Sequence, residues 1–215
     1  MVTGHRASHV LVMAKAPVAG RVKTRLCPPL DPVEAAQLAE AALADTLEAV
    51  AACGAGRRIL ALDGEPGEWL PPGFTLIPQR GDGLAERLSN AWAEAGGPGL
   101  QLGMDTPQVS ATLLEASLGQ LMETGTDAVL GPAQDGGWWA IGFRQPDPGA
   151  FAGVPMSSPF TGQAQRARLE DLGLRFSELP QLTDVDRIDD ALAVAAAAPA
   201  SRFAAILAEL GLRTR

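Results

Sequence analysis

Histidine, cysteine and basic residues are all scarce in this chain, and each shortage removes a class of function. His5 and His9, the two histidines, stand near the start with no partner pattern around them, so no Ser/His/Asp or Cys/His catalytic set can be assembled. The two cysteines, Cys27 and Cys53, have neither metal-ligand nor redox spacing and read as reduced thiols of a cytoplasmic protein. With 17 Lys and Arg against 25 Asp and Glu the net charge is −8, which argues against a nucleic-acid partner, because phosphate backbones need a basic face. No stretch approaches the roughly 20 apolar residues of a membrane span. The first apolar run, about five residues long, is too short for a signal peptide.

What remains is 215 residues that are 47% hydrophobic, enough for one domain over 1–215 with a sizeable core and a loose leader at 1–8. Apolar runs read as strands at Val10–Met13, Arg58–Leu62, Phe74–Ile77, Leu100–Gly103, Ala128–Leu130, Trp138–Phe143 and near 174–178. Helical patterns fall between them. Asp31-Pro32-Val33-Glu34 has the acid, proline and glutamate of a helix start, and Val33, Ala36, Leu43, Leu47 and Val50 then recur until Cys53-Gly54. Further helices are expected over Leu84–Ala95, after a Ser110 cap, near 162–172, and over 187–197 and 200–210. Such alternation implies a three-layer αβα domain of the α/β class, with a mostly parallel mixed sheet of about seven strands.

In open α/β sheets, ligands lie beyond the carboxyl ends of the strands, and the polar segments of this chain follow strands. The first strand opens into a Pro/Gly loop carrying Lys15, Gly20, Arg21, Lys23 and Arg25. Cations gathered in one loop of an anionic protein point to a small anionic ligand, with backbone N–H groups and side chains converging on phosphate. Later strands are followed by Gln79-Arg80-Gly81-Asp82-Gly83, by Gly103-Met104-Asp105-Thr106-Pro107 and by Gln134-Asp135-Gly136-Gly137. Thr183-Asp184-Val185-Asp186 precedes a helix. Carboxylates beside a phosphate loop suit a hard divalent cation, which takes one or two of them plus phosphate oxygens. Simpler roles compete: Asp105 as a turn starter, Asp186 with Asp189 as helix caps, Asp135-Gly136-Gly137 as a hairpin turn, Trp138 and Trp139 as packing. The phosphate loop is not a P-loop, since Gly20 and Lys23 are not adjacent. Gly54-Ala55-Gly56 follows a helix and is no dinucleotide fingerprint.

The segments AKAPVAGRVKTRL (14–26), QRGDGLAERL (79–88), GMDTP (103–107), LGPAQDGGWWAIG (130–142) and DVDRIDD (184–190) occur in an order that resembles the nucleotide-diphospho-sugar transferase superfamily of glycosyltransferase-A fold. Within it, the chain is most similar to a bacterial glycosyltransferase-like family of unassigned activity, related to molybdenum-cofactor guanylyltransferase and 2-phospholactate guanylyltransferase. The resemblance implies Mg²⁺ or Mn²⁺ held by Asp105 and Asp186, with Asp184 beside it, and nucleotide phosphates held by the first loop through Lys23 and Arg25. It places Gln79 and Gly83 near the base, and Asp135, Gly136, Gly137 and Trp138 on the acceptor side. Lys23, Arg25, Asp105 and Asp135 form the implied catalytic set. Against the family pattern, Met104 stands for serine, Ala85 for glycine, Arg187-Ile188 for Thr-Pro and Trp138 for tyrosine.

The function so implied is a metal-dependent transferase on a nucleotide-activated substrate, moving sugar from a nucleoside diphospho-sugar. Its partner is a small nucleotide or nucleotide-sugar. Two alternatives stand beside it. One is a nucleotidyltransferase that joins a nucleoside triphosphate to a phosphorylated acceptor and releases pyrophosphate. The other is a non-catalytic nucleotide-binding module, motivated by Met104 and Arg187-Ile188.

Overall fold

The structure is a computed structural model that describes residues 7–212. Seven strands, β1 (His9–Lys15), β2 (Arg57–Asp63), β3 (Thr75–Pro78), β4 (Gly99–Gly103), β5 (Ala128–Pro132), β6 (Trp138–Phe143) and β7 (Phe176–Glu178), make one sheet in the order β3-β2-β1-β4-β6-β5-β7. All pairings are parallel except those of β6, which runs against β4 and β5. Among the described residues six α-helices surround it: α1 (Pro32–Ala52), α2 (Leu84–Ala95), α3 (Ala111–Leu121), α4 (Thr161–Asp171), α5 (Ile188–Ala197) and α6 (Arg202–Glu209). This is the expected three-layer, mostly parallel architecture, and α2 and β6 coincide with their sequence-read bounds.

The sheet separates two cores. On one face Val10, Val12, Leu60, Leu100 and Leu102 pack with Leu43, Leu47 and Val50 of α1 and Leu114 and Leu118 of α3. On the other, Leu11, Met13, Ile59 and Ile141 pack with Leu88 and Trp92 of α2 and Leu169 of α4. The alternation of β1 between these sets is the period of two that a strand buried on both faces requires.

Helix α1 starts as its sequence predicts. Asp31 Oδ1 accepts from the N–H groups of Val33 (2.7 Å) and Glu34 (2.9 Å), and Glu34 Oε2 accepts from Asp31 N–H at 2.8 Å. Replacing Asp31 with alanine removes both cap bonds, with an expected loss of about 1 kcal/mol. In a domain of this size that is a melting-point drop of about 2–4 °C, measurable by calorimetry. The predicted apolar stripe of α1 needs one correction: Val33 is 57% exposed, so it does not begin the buried face. The helix is instead buried on two sides, because Ala35, Leu38 and Ala42 pack in a third cluster with Val185, Val194, Phe203 and Leu207. Small alanines between the leucines let both faces be covered, so a single-stripe periodicity understates the burial.

At the other end of the chain, Asp190 Oδ2 accepts from the N–H groups of Arg187 (2.7 Å) and Asp186 (3.3 Å). The acid that caps α5 is therefore Asp190, in place of the Asp186/Asp189 pair expected from sequence. Of the expected leader, residues 1–6 lie outside the described residues; Ser8 is buried, and its carbonyl accepts from Gly56 N–H at 3.0 Å.

Among the described residues, no helix is long and apolar enough to cross a membrane.

Candidate functional site

β1 lies between β2 and β4, so the chain leaves β1 in one direction along the sheet and returns on its other side. Such a switch point opens a crevice at the carboxyl ends of the two strands. Here that crevice is a cleft of about 780 Å³, walled by the loops after β1, β4 and β5 and by the segment before α5. Because β6 runs antiparallel, its first residue, Trp138, also faces this edge.

The loop after β1 is anchored by its apolar residues and presents its cations. Val22 (7% exposed) joins the core over α1 and α3, and Leu26 is fully buried against α1 and the helices that end the chain. Between and beside them Arg21, Lys23 and Arg25 reach the cleft. Gly20 has φ +76°, a left-handed turn that a side chain would strain. Lys23 itself is left-handed (φ 49°, ψ 33°) and starts a short 3-10 turn over Thr24–Leu26. A non-glycine residue held in that region is uncommon and marks a constrained side chain. Its ammonium pairs with Asp105 Oδ1 at 2.5 Å and donates to the Val185 carbonyl.

Asp105 follows β4, and its carbonyl accepts from Val185 N–H at 2.9 Å. That bond holds the late segment 184–186 against the strand end. Leu182, which donates to Pro132 O (3.1 Å) and accepts from Gln134 N–H (3.0 Å), guides the segment there beside the end of β5. Asp186 meets Arg25, whose Nη1 donates to Oδ1 (3.0 Å) and Oδ2 (2.9 Å). The resemblance gives Asp186 to the metal; its carboxylate accepts here from Arg25, as that of Asp105 pairs with Lys23. The covered acid beside Asp105 is Asp184. Its Oδ1 is buried without a hydrogen-bond partner. Burial, then repulsion from Asp105 and Asp135, pushes its carboxyl up to about 7, while Lys23 opposes the rise and Asp186 adds a smaller push.

Gln79 donates its amide to two strand ends, Ala14 O (2.8 Å) and Ala61 O (3.0 Å), so it ties β1 to β2 as well as lining the cleft. Asp135 makes a local turn, accepting from Gly137 N–H at 2.8 Å, in the connection between β5 and β6. That hairpin is also where the cleft begins. Gly136 has φ +89°, and a Cβ there would lie 2.1 Å from Pro159 O, so the turn packs flush on the segment before α4. The two tryptophans part company. A register shift at Gly131/Pro132 accompanies β6, sending Trp139 into the α1/α3 core with its Nε1 on Pro180 O (2.9 Å). Trp138 stays on the α2/α4 face at the cleft.

Lys15, Arg21, Lys23, Arg25, Gln79, Asp105, Asp135, Gly137, Trp138 and Asp186 all line this one cleft, whereas Gly20, Gly83 and Gly136 do not reach its wall. Sequence reasoning gave no site role to Gln101, Thr106, Arg187 or the residues Met156–Pro159 and Thr161, which line it too. The signal available for that segment was Ser157-Ser158-Pro159 before a helix, an ordinary helix entry without tertiary contacts. Among the described residues, no three His, Cys, Asp or Glu are grouped to hold a metal ion by themselves.

The electrostatics are specific. Five of the chain's 17 Lys and Arg line the cleft. Lys23 and Arg25 are paired with Asp105 and Asp186. Lys15, Arg21 and Arg187 have no ion pair among the described residues. Unpaired cations in the same cleft as a half-buried acid, in a protein of charge −8, can hold an anion and a cation together.

The fold has relatives of known structure. A protein of Desulfovibrio desulfuricans G20, provisionally assigned as a nucleotide-diphospho-sugar transferase, is 25% identical, with 99% of this chain and 100% of that chain covered at a TM-score of 0.85. A cytidylyltransferase from Leptospira borgpetersenii is 12% identical (96% and 94% covered, TM-score 0.57). The 2-C-methyl-D-erythritol 4-phosphate cytidylyltransferase of Thermus thermophilus is 18% identical (88% and 98% covered, TM-score 0.53). These two share the fold. No functionally curated protein matches the sequence. A family model does match, over residues 36–158, and the chain belongs to that family, described as an uncharacterized protein conserved in bacteria (DUF2064).

Proposed function

We propose that the protein is a metal-dependent transferase acting on a nucleotide-activated substrate, with sugar transfer from a nucleoside diphospho-sugar as its reaction. The observation that carries this is the charge pattern of one cleft, lined by three cations with no ion pair among the described residues and by a carboxylate whose Oδ1 is buried without a partner. The 25% identical Desulfovibrio relative, aligned over the full chain, supports the same reading.

The donor set fits a divalent cation. Asp184 Oδ1 is covered and lacks a hydrogen bond, and the acids around it, Asp105 first, repel its charged form. A cation held by Asp105, with Asp184 and Asp186 beside it, would relieve that repulsion. When bound, such an ion offsets phosphate charge and polarises the leaving group. The chain's own residues do the rest by position and charge. Lys15, Arg21 and Arg187 are available to phosphate oxygens, and Lys23 and Arg25 stand where charge on a leaving phosphate would develop. Asp135, which lines the same cleft, would orient an acceptor hydroxyl.

The excess of unpaired cations favours nucleotidyl transfer as the second reading, since a triphosphate and a phosphorylated acceptor together bring more negative charge than a diphospho-sugar. The products separate the two: a nucleoside diphosphate for the first, inorganic pyrophosphate for the second. A melting-point panel of nucleoside triphosphates and diphospho-sugars tests both. At about 100 times its Kd a bound ligand adds about 2.7 kcal/mol, an upward shift of about 5–10 °C for a domain of this size. The shift is expected with Mg²⁺ or Mn²⁺ and is expected to shrink with chelator. A panel with no shift under any condition rejects the proposal.

A further inference from the structure

β4 sends Leu100 and Leu102 to the α1/α3 face, where both are fully buried. Gln101 alternates to the other face, between Leu11 of β1 and Ile141 of β6 in register, and is 2% exposed. An amide in the middle of a central strand, flanked by apolar side chains, is a costly choice unless both its ends are bonded. Its Oε1 is buried without a partner. Gln101 nonetheless lines the cleft, as do Met13, Leu88, Trp138 and Met156, which pack together on this face of the sheet. Trp138 Nε1, in the same group, is a buried donor without a partner. The side chains named here, unlike those of the loop after β1, are uncharged. They offer one unmatched acceptor and one unmatched donor in apolar surroundings.

We infer that Gln101 is a specificity-determining residue that reads a hydroxyl of the uncharged sugar ring carried by the bound diphosphate. A phosphate oxygen only accepts, so it cannot satisfy Oε1. A hydroxyl donates to Oε1 and still accepts from an N–H such as Trp138 Nε1. A leucine in place of Gln101 would satisfy the apolar wall and leave nothing for the sugar. This assignment rests on the phosphate-binding reading above, and it separates from it in one experiment.

Wild type, Gln101→Leu and Gln101→Met are titrated in Mn²⁺ with inorganic pyrophosphate, with uridine and guanosine diphosphates, and with their hexose conjugates. Melting points are recorded alongside. The expected result is unchanged pyrophosphate affinity, diphospho-sugar affinity weakened about tenfold, and a melting point equal to or above wild type in both variants. Plain diphosphates distinguish the source of the hydroxyl: weakening confined to the hexose conjugates assigns Gln101 to the transferred sugar. Equal weakening of plain diphosphates means that it reads the nucleoside and overturns the assignment. A raised melting point with diphospho-sugar affinity unchanged, or a melting point that falls in both variants, shows a merely structural amide and also overturns it. If pyrophosphate binds and no hexose conjugate binds more tightly than its plain diphosphate, this inference falls and the phosphate site stands. If nothing binds wild type, both fall.

Discussion

Asp105→Asn is expected to reduce metal-linked nucleotide binding and turnover by about 100-fold or more while leaving the fold intact. The substitution keeps the side chain's size and removes its charge. Asp105 is 46% exposed at its side chain, so its pair with Lys23 contributes only about 0–1 kcal/mol to stability. Lys23 also retains the Val185 carbonyl as a partner. The melting point without ligand should therefore move by no more than a few degrees. Calorimetric titration with and without Mn²⁺, together with a product-release assay, checks the functional side. Asp184→Asn should behave similarly, because its carboxylate stands beside that of Asp105 in the cleft. Asp186→Asn should lose less, since its charge is already offset by Arg25. The result separates catalysis from the non-catalytic alternative, in which nucleotide binding survives Asp105→Asn and ignores the metal.

The second large effect is on stability against pH and arises far from the cleft. His9, the first residue of β1, is fully buried, with its ring edge-on to Trp92 at 5.2 Å. A Cβ on Gly99, its neighbour in β4, would lie 2.4 Å from the ring, so glycine is required there. Burial, then the Arg57 guanidinium, lowers the His9 pKa from 6.5 to about 4, against a smaller upward pull from a hydrogen bond to the Pro98 backbone. The unfolded chain thus binds a proton that the folded chain refuses between about pH 6.5 and pH 4. Stability from this group is intact above pH 6.5 and falls as the pH is lowered through that window, by up to about 3 kcal/mol. Asp184 has the opposite sign over much of the same range, because its raised folded pKa means that the folded protein gains stability on acidification. Comparison with His9→Gln cancels that term. Urea denaturation of the two proteins from pH 7.5 to pH 4.5 should show a steeper acid loss in wild type; parallel curves would exclude the buried neutral imidazole.

His9 also marks where local signals stop. A lone histidine beside an expected leader has no sequence partner, and its burial follows from β4 and α2, about 90 residues away, closing over the start of β1. The elements themselves need no such distance. Asp31 caps α1 with its own neighbours, Ser110 caps α3 through Leu113 N–H at 3.1 Å, and Gly20 turns its own loop. Those devices act over three or four residues, which is why the strand and helix order could be read directly. The same alternation implied a parallel sheet, and the rule that ligands sit at strand ends collected most of the cleft residues before any coordinates.

What the sequence by itself determined, then, is the α/β layering, the series of helices and strands, and a set of polar strand-end residues able to meet at one edge. Tertiary structure decided the partners. Arg25 and Asp186 are 161 residues apart, and only the sheet order with the Asp105–Val185 backbone bond brings them together and leaves Asp184 as the covered acid. It also set Trp138 and Trp139 on opposite faces, buried α1 on two sides and placed an unsatisfied Gln101 in the cleft wall. Capping and periodicity are encoded by neighbouring residues, whereas charge pairing and burial depend on which distant surfaces the packed sheet brings into contact.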